Sequence, residues 1–495
     1  MKNARLKSAA VSLALALLFG LVFYAFNTPL GPSIGSDNAI YLTMGTALSQ
    51  GYAPYTEIFD HKGPLVFLLQ AIPQLLSSGY STLAVFLQQV LFLFACLCVI
   101  DAIALKMGLR ATLVPQIAYL ALICSLAGGG NLTEEYTNLF TLAGLYLLVR
   151  HLGPNAGEIK PRALLRPAVL LGALAMLCFL TRANNALPLA GAVLGVSLCL
   201  AAQKRFSALG FAALGCLAGC LLAALPVALW LWREGALAES VYGAFIHNMM
   251  YAETDGASRV AMLLHSGYGR CAILMAALSC LGASALLLRT KKAALPLAMV
   301  LGAAMGGFAA FVSHKFYDHY LILSAPVAVL GVCALCAAIA AMGRRAKVLA
   351  LCACLAVSCA WLGIKGIETN RWRLSERADL AQFTKDAQAL YAQVPQDERG
   401  AFMGYRVEPR WYAVTGALPC MRFYFLQEIL AQADPAVMDE IVEEFHTDPP
   451  LWLVIYYNRE FGPPYDARVA EIFTNNYEFI DAKGQYQLLR LKESL

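Results

Sequence analysis

The stretches SDNAIY at 36–41 and FDHKGP at 59–64 lie in one long polar connection, residues 27–64, that follows the first apolar run of the chain. This connection contains three carboxylates, those of Asp37, Glu57 and Asp60, and many aromatic residues, whereas most of the first 365 residues are strongly apolar. Ionisable groups held close to hydrocarbon are costly, so those of a membrane-spanning chain are candidates for function. The chemistry of the protein is therefore sought first in these two stretches.

The composition predicts a polytopic α-helical membrane protein. Of the 495 residues, 59% are hydrophobic and only 14% are charged, whereas a soluble chain carries about 25% charged residues. The net charge of +5 does not indicate nucleic-acid binding, because the basic residues occur in short clusters between apolar runs. Of the fifteen cysteines, only Cys420 lies outside the apolar runs, so neither a disulfide framework nor a zinc motif is predicted.

Eleven apolar runs approach the length of about 20 residues that a membrane-spanning helix needs. They are predicted at 9–26, 82–104, 112–127, 136–151, 167–181, 184–201, 207–232, 268–288, 293–312, 320–342 and 346–365. The first run resembles a signal peptide, but no small-x-small cleavage site follows it, and we expect it to remain as an anchor.

The distribution of lysine and arginine predicts the orientation of these spans. With a cytoplasmic N-terminus, the inside loops carry 17 basic residues and the outside loops before residue 365 carry 6. This bias follows the positive-inside rule. It predicts that the first outer loop, residues 27–81, and the C-terminal tail both lie outside the cytoplasm.

The first outer loop contains two short helical patterns. A helix is predicted over 37–50, with Ser36 or Asp37 as its N-terminal cap and Gly51 at its end. The apolar run 64–78 begins with proline and is too short to span, so it predicts a helix lying along the outer membrane surface. Three aromatic residues are expected near the level of the lipid headgroups: Tyr52, Tyr55 and Phe59.

The tail has a different composition and predicts a small α/β domain. We divide the chain into a transmembrane domain, residues 1–365, and an extracytoplasmic domain, residues 366–495. Within the tail, charged and apolar residues alternate at helical spacing over 371–393. Strands are predicted at 401–405, 451–457, 477–481 and 486–491, and helices at 434–445 and 466–475.

Further ionisable residues occur in the other loops assigned to the outer face, namely Glu134, Arg182, His314, Lys315 and His319. Each has a simpler interpretation, in which Glu134 is a solvated loop residue and Arg182 reaches towards lipid phosphate. In the same interpretation the remaining three residues belong to a solvated turn. Anion binding is favoured over a solvated turn for His314, Lys315 and His319, because they place three nitrogen-bearing side chains within six residues.

A sugar linked through phosphate to a polyprenyl chain would use all of these groups. Transfer to an acceptor hydroxyl needs a carboxylate to take the proton and cations to stabilise the departing phosphate. Asp37 is the candidate base, and the candidate phosphate ligands are Lys62, Arg182 and Lys315, with His61, His314 and His319 as secondary donors. No ligand spacing demands a metal, although a divalent cation would supply part of the same charge.

The first outer loop resembles that of the GT-C superfamily of integral-membrane glycosyltransferases, particularly the branch with protein O-mannosyltransferases and aminoarabinose transferases. The similar stretches are SDNAIY at 36–41, GYAPY at 51–55 and FDHKGPL at 59–65, in the family's order. Glu134 and Tyr320 are similar to weaker later positions. Segments of the tail near 412–423 and 449–454 look like the extracytoplasmic domain of bacterial members.

The resemblance implies an inverting hexosyl- or pentosyltransferase of a bacterial cytoplasmic membrane. Its donor would be a polyprenyl-phosphate sugar, its acceptor an envelope glycan, lipid or protein, and Asp37 the residue that activates the acceptor. Asp60 and Tyr41 are further site candidates. Asn38 stands where many members have a second acidic residue, which weakens a metal-assisted mechanism, and KGP replaces the commoner KPP. The alternatives are a flippase for lipid-linked glycans and an envelope polysaccharide polymerase or ligase.

Overall fold

The chain folds mainly into α-helices, and the computed structural model describes residues 2–31, 33–77, 79–154, 160–252, 259–312, 316–457 and 465–493. All eleven predicted spans coincide with helices. Within the described ranges, nine helices are long and apolar enough to cross a membrane: Leu6–Phe23, Thr82–Lys106, Pro161–Thr181, Ala183–Ala202, Phe206–Arg233, Gly267–Thr290, Ala294–Phe311, Asp318–Ile339 and Arg344–Tyr391. The protein is therefore a multi-pass membrane protein, as its composition predicts.

The two remaining predicted spans form helices that are shorter or more polar. Leu113–Ile123 has 11 residues, and Thr133–Leu152 opens with two glutamates. The predicted last span and the predicted helix 371–393 are one helix of 48 residues, Arg344–Tyr391. Nothing between them breaks the helix, since residues 364–372 contain no proline and a single glycine.

The chain divides into two compact units. The first contains residues 1–30, 86–229 and 255–372, and the second contains residues 31–85, 230–254 and 373–495.

The first unit is a bundle with one hydrophobic core, which small residues allow to pack tightly. The helix Gly267–Thr290 lies so close to Ala325–Ile339 that a Cβ atom added at Gly282 would stand 2.4 Å from the Cα of Gly331. Helices in a membrane gain little from the hydrophobic effect against each other, so close approach through small residues is a main source of their association.

The second unit contains the strands of the tail, in a four-stranded sheet with the order β1-β2-β4-β3. The strands are Phe402–Tyr405 (β1), Trp452–Tyr456 (β2), Tyr477–Lys483 (β3) and Tyr486–Leu491 (β4). The β1–β2 pair is parallel, and β4 is antiparallel to both of its neighbours. The predicted helices of the tail appear as Ala436–Thr447 and Ala467–Asn476, so the strands and helices expected from alternation are confirmed.

The remaining short elements of this unit include a π-helical turn. They are Ser36–Ser49, Pro64–Ser77, Leu237–Val241, Tyr242–His247 (the π-helical turn), Asn248–Ala252, Arg410–Thr415 and Gln427–Ala433, with a 3₁₀ turn at Arg399–Ala401.

The two predicted helices of the first outer loop are present, but two details of the prediction are wrong. Helix Ser36–Ser49 begins after Gly35, without a side-chain cap from Ser36 or Asp37. Tyr55 and Phe59 are fully buried and do not reach lipid headgroups. The Tyr55 hydroxyl donates a hydrogen bond to the Lys62 carbonyl at 2.7 Å, and this internal partner lets the polar end of the ring lie inside the protein.

Candidate active site

Asp37 stands in the first turn of helix Ser36–Ser49, in the second unit. The next ten residues of this helix are buried, and the helix packs closely on Pro64–Ser77, because a Cβ added at Gly45 would lie 2.6 Å from the Gln70 carbonyl. Asp37 itself is only half-buried. Among the described residues its carboxylate makes no hydrogen bond or ion pair, so a rigid element holds a carboxylate that is not engaged by the protein.

Asp60 is a second carboxylate, buried completely. Its Oδ1 accepts a hydrogen bond from the His61 N–H at 2.8 Å and lies 3.5 Å from the Lys62 Nζ. Burial raises the pKa of Asp60, the Lys62 ammonium lowers it, and the nearby Asp37 carboxylate raises it again. Asp60 is therefore close enough to Asp37 for the two carboxylates to influence each other.

Lys62 and Tyr41 complete this cluster. Lys62 is 7% exposed, and its Nζ lies 5.7 Å from the centre of the Tyr41 ring, which is also buried. The ammonium thus lies near both an aromatic ring and a carboxylate.

The turn Tyr242–His247 and the residue after it support the loop that carries Asp60. The Asn248 side-chain amide donates hydrogen bonds to the carbonyls of His61 and Ala244. His247 is fully buried, with its ring centre 6.1 Å from that of His61 and an angle of 30° between the two ring planes. Neither nitrogen of His247 lies in hydrogen-bonding geometry with a described residue. π-Helical turns occur frequently at functional sites.

Burial lowers the pKa of His247, against the opposing effects of the Leu430 backbone and the Asp434 and Asp60 carboxylates. The Leu430 backbone is near the ring, although it is not in hydrogen-bonding geometry. His247 is therefore a neutral imidazole at pH 7, packed edge-to-face against Phe59 at 5.7 Å.

Arg422 ties the same loop to the tail within the second unit. Its carbonyl accepts a hydrogen bond from the Phe59 N–H at 3.0 Å. Its guanidinium forms ion pairs with Glu440 at 2.9 Å and with Glu239, and stands 5.2 Å from the centre of the Phe59 ring. The loop that carries Asp60 is thus held by contacts that are far apart in sequence.

The first unit contains a separate cluster of Glu134, Arg182 and Tyr320. The Arg182 guanidinium donates a hydrogen bond to the Tyr320 hydroxyl at 2.8 Å and lies 3.4 Å from the Glu134 Oε1. Glu134 is 1% exposed, so it is an ion-pair partner and not a solvated loop residue. His319 packs edge-to-face on Tyr320 at 4.7 Å. His314 and Lys315 lie outside the described residues.

Glu135, next in sequence to Glu134, has a structural role. Its Oε2 accepts hydrogen bonds from the backbone N–H groups of Asn131 and Leu132 at 3.0 and 3.3 Å, and from the Gln89 side chain at 3.3 Å. It thus accepts hydrogen bonds from the two residues that precede helix Thr133–Leu152, as the third residue of a capping box does.

A large apolar cavity also lies within the first unit, with a volume of about 1370 Å³. Its walls come from the helices Leu113–Ile123, Gly267–Thr290 and Arg344–Tyr391, and its described lining includes the basic residues Arg270 and Lys365 and the carboxylate of Asp318. A space of this kind suits a ligand with a long apolar chain. Among the described residues, no group of three or more His, Cys, Asp and Glu side chains is arranged to hold a metal ion.

Solved structures of two proteins share this architecture. ArnT from Cupriavidus metallidurans bound to undecaprenyl phosphate superposes with a TM-score of 0.62 at 14% identity, over 98% of both chains. The archaeal oligosaccharyltransferase AglB from Archaeoglobus fulgidus, in complex with an inhibitory peptide and a dolichol-phosphate, superposes with a TM-score of 0.53 at 12% identity, over 90% of this chain and 69% of AglB. Both proteins belong to the GT-C superfamily.

The chain has the GT-C fold. The resemblance expected from the first outer loop is therefore confirmed at the level of the fold. No protein-family model matches the sequence, and no curated protein matches it.

Within this GT-C fold, the predicted site residues form two groups. Asp37, Asp60, His61, Lys62 and Tyr41 come together in the second unit, and Glu134, Arg182, Tyr320 and His319 come together in the first. His247, Asn248 and Arg422 are supporting residues that the sequence did not assign to the site. No local pattern in the sequence indicates that His247 and Asn248 support the loop that carries Asp60.

Proposed function

We propose that the protein is an inverting glycosyltransferase that moves a sugar from a polyprenyl-phosphate carrier to a hydroxyl of an envelope glycan, lipid or protein. The observation that carries the proposal is the half-buried Asp37 carboxylate, which makes no ion pair or hydrogen bond among the described residues and stands on a tightly packed helix of a GT-C fold. A carboxylate held rigidly without a partner is suited to accept a proton from a substrate.

In the proposed reaction, Asp37 takes the proton of the acceptor hydroxyl while the oxygen attacks the anomeric carbon of the donor sugar. The bond from that carbon to the phosphate oxygen breaks, and polyprenyl phosphate leaves with its bonding electrons. Attack opposite the leaving group inverts the configuration at the anomeric carbon.

The departing phosphate gains charge, so cations that contact it lower the barrier. We assign this role to Lys62 and Arg182, together with Lys315, and give His61, His314 and His319 secondary roles. Lys62 is already held by the Asp60 carboxylate, and Arg182 by the Glu134 carboxylate. This preorganisation supports the assignment, because the cation does not need to be reoriented when the reaction occurs.

The apolar cavity of the first unit supports a donor with a long lipid chain. Its described lining is mostly hydrophobic, with Arg270, Lys365 and Asp318 as its charged residues, and an apolar space of this kind suits a long lipid chain. ArnT, whose fold this chain shares, has a structure with undecaprenyl phosphate bound. We therefore propose a polyprenyl chain as the occupant of this cavity.

The proposed orientation has the N-terminus in the cytoplasm and the first outer loop outside, in the cytoplasmic membrane of a bacterium. It is supported by the excess of lysine and arginine in the loops assigned to the inside. In this proposal residues 1–365 form the transferase domain and residues 366–495 an extracytoplasmic domain.

The test is transfer activity of Asp37→Asn with a panel of polyprenyl-phosphate sugars, measured as release of polyprenyl phosphate. Loss of the base is expected to lower turnover by about 10²- to 10⁴-fold, with an unchanged melting temperature because the Asp37 side chain makes no hydrogen bond or ion pair with the described residues. Glu57→Gln is the matched control, since Glu57 is an exposed carboxylate of the same loop whose side chain accepts a hydrogen bond from the Ala53 N–H.

Near-normal turnover in Asp37→Asn would refute the role of Asp37. Flux of labelled lipid-linked sugar across proteoliposomes with no covalent product would instead favour a flippase. Arg182→Ala is expected to lower turnover with both substrates saturating, because its guanidinium is assigned to the charge that develops on the departing phosphate.

A further inference from the structure

A second cavity lies within the first unit. Its volume is about 530 Å³. Its apolar wall comes from four helices and includes Leu148, Leu171, Val196 and Ala212. None of the residues proposed for the reaction lines it.

The polar part of this cavity is basic. Arg205, Lys291 and Lys292 line it together with His151 and Gln203, and no aspartate or glutamate occurs in its described lining. All three cations belong to loops that the sequence assigns to the cytoplasmic side. An apolar space whose described polar lining is basic is complementary to an amphiphile with an anionic head.

The backbone at this edge of the cavity holds the cations in ordered turns. Lys291 ends helix Gly267–Thr290 in the left-handed conformation, with φ of 59°, which glycine adopts more easily. Its N–H donates to the Leu287 carbonyl at 2.8 Å, and the Lys292 N–H donates to the Thr290 hydroxyl at 3.2 Å. The turn therefore presents two successive lysines although its conformation favours glycine at one of them.

The start of an 18-residue helix adds to the positive potential. Ala293 and Ala294 also line the cavity, and they open helix Ala294–Phe311. The unpaired N–H groups and the dipole at a helix N-terminus favour anions. Two independent sources of positive potential, the side chains and the helix start, thus meet at one end of an apolar space.

We propose that this cavity binds an anionic phospholipid of the inner leaflet. Its phosphate would contact Arg205, Lys291 and Lys292, and an acyl chain would lie along the apolar wall near Val196 and Ala212. The site differs from the donor site in its residues and in its ligand, and it does not depend on the proposed transfer activity.

The test is lipid binding to the purified full-length protein, followed by native mass spectrometry and by the melting temperature in detergent. The probes are phosphatidylglycerol, phosphatidylcholine with the same acyl chains, and inorganic phosphate. Phosphatidylglycerol is expected to bind and to raise the melting temperature, and the other two are expected not to. The triple variant R205Q/K291Q/K292Q is expected to bind phosphatidylglycerol roughly a hundredfold more weakly, since each basic residue near a lipid surface contributes about fivefold.

The matched control is R344Q/R345Q/K347Q, which removes the same charge from another loop assigned to the same side and should bind like the wild type. A second variant, Ala212→Leu, keeps every cation and fills the space of the acyl chain, so it should also lose binding. Equal binding of phosphatidylcholine, equal protection by inorganic phosphate, equal losses in both triple variants, or unchanged binding in Ala212→Leu would each overturn the proposal. Asp37→Asn should bind the lipid normally, which separates this result from the transfer assay.

Discussion

Replacing Lys62 by methionine should destabilise the second unit strongly, because it leaves the Asp60 carboxylate buried without its cation. The Nζ and Oδ1 atoms are 3.5 Å apart, and Asp60 is fully buried. At an effective dielectric constant of about 20, unit charges at this distance attract each other by about 5 kcal/mol. Removal of one partner of a buried ion pair costs about 3–5 kcal/mol, which is of the same size.

The loss should depend on pH in a defined direction. Burial raises the pKa of Asp60 and Lys62 lowers it, so the pKa should rise further in Lys62→Met. A carboxyl group whose folded pKa exceeds its unfolded pKa stabilises the fold at low pH, and this contribution is lost as the pH rises through the folded pKa. The destabilisation should therefore be smallest near pH 5 and largest at pH 8.

The measurement is the melting temperature in detergent from pH 5 to pH 8, for Lys62→Met, Asp60→Asn/Lys62→Met and Lys483→Met. The double variant removes both charges and should recover much of the loss. Lys483 is the control, because it also lies 3.5 Å from a carboxylate, that of Asp481, but on an exposed surface, and its loss should not be measurable. A loss in Lys62→Met that is no larger than in the control, or a loss that grows as the pH falls, would refute the reasoning. If Lys62 also binds the donor phosphate, the double variant will be stable and still inactive.

Two further substitutions test the support of the site. Gly45→Ala should lower the melting temperature, at a cost of about 1–3 kcal/mol, because the new methyl group would meet the Gln70 backbone. The control is Gly210→Ala, whose new methyl group would meet nothing within 4 Å. Equal melting temperatures of the two variants would contradict the close packing at Gly45. His247→Phe should keep or raise the melting temperature at pH 7, since it removes two buried nitrogens outside hydrogen-bonding geometry. Because the folded pKa of His247 is lowered, its contribution to the free energy of unfolding is fully present above the unfolded pKa of about 6.5 and is lost as the pH falls towards the folded pKa. The wild type should therefore lose more stability than His247→Phe between pH 7 and pH 5. His446→Phe at an exposed position should leave that pH dependence unchanged, and an unaltered profile in His247→Phe would contradict the burial of a neutral imidazole.

The local features of the fold were predictable because they depend on residues close together in sequence. The helices Ser36–Ser49 and Pro64–Ser77 follow from short apolar patterns that end at Gly51 and begin at Pro64. The strands of the tail follow from alternating or continuous apolar runs. By contrast, the missing cap at Ser36 and the burial of Tyr55 and Phe59 depend on what packs around them, and the prediction failed for each.

The candidate site was predictable in its residue types and only partly in its pairings. Asp60 and Lys62 are two residues apart, so their ion pair is local. The partnership of Arg182 with Glu134 and Tyr320 joins residues 48 and 138 positions apart, and no pattern in the sequence indicates it. Nor does any pattern in the sequence indicate that Arg422, in the tail, contacts the loop that carries Asp60.

The sequence by itself determined that this chain crosses a membrane many times, because hydrocarbon admits only segments that satisfy their own backbone hydrogen bonds, and such segments are long and apolar. It also determined which ionisable residues stand beside those segments. Only the tertiary structure decided that Asp60 lies near Asp37, that Lys62 is buried against Asp60, and that Asp37 has no partner in the described protein. These relations depend on close contacts between helices, such as that of Gly45 with Gln70. Such a contact is set by the shapes of both helices together, so neither stretch of sequence specifies it alone.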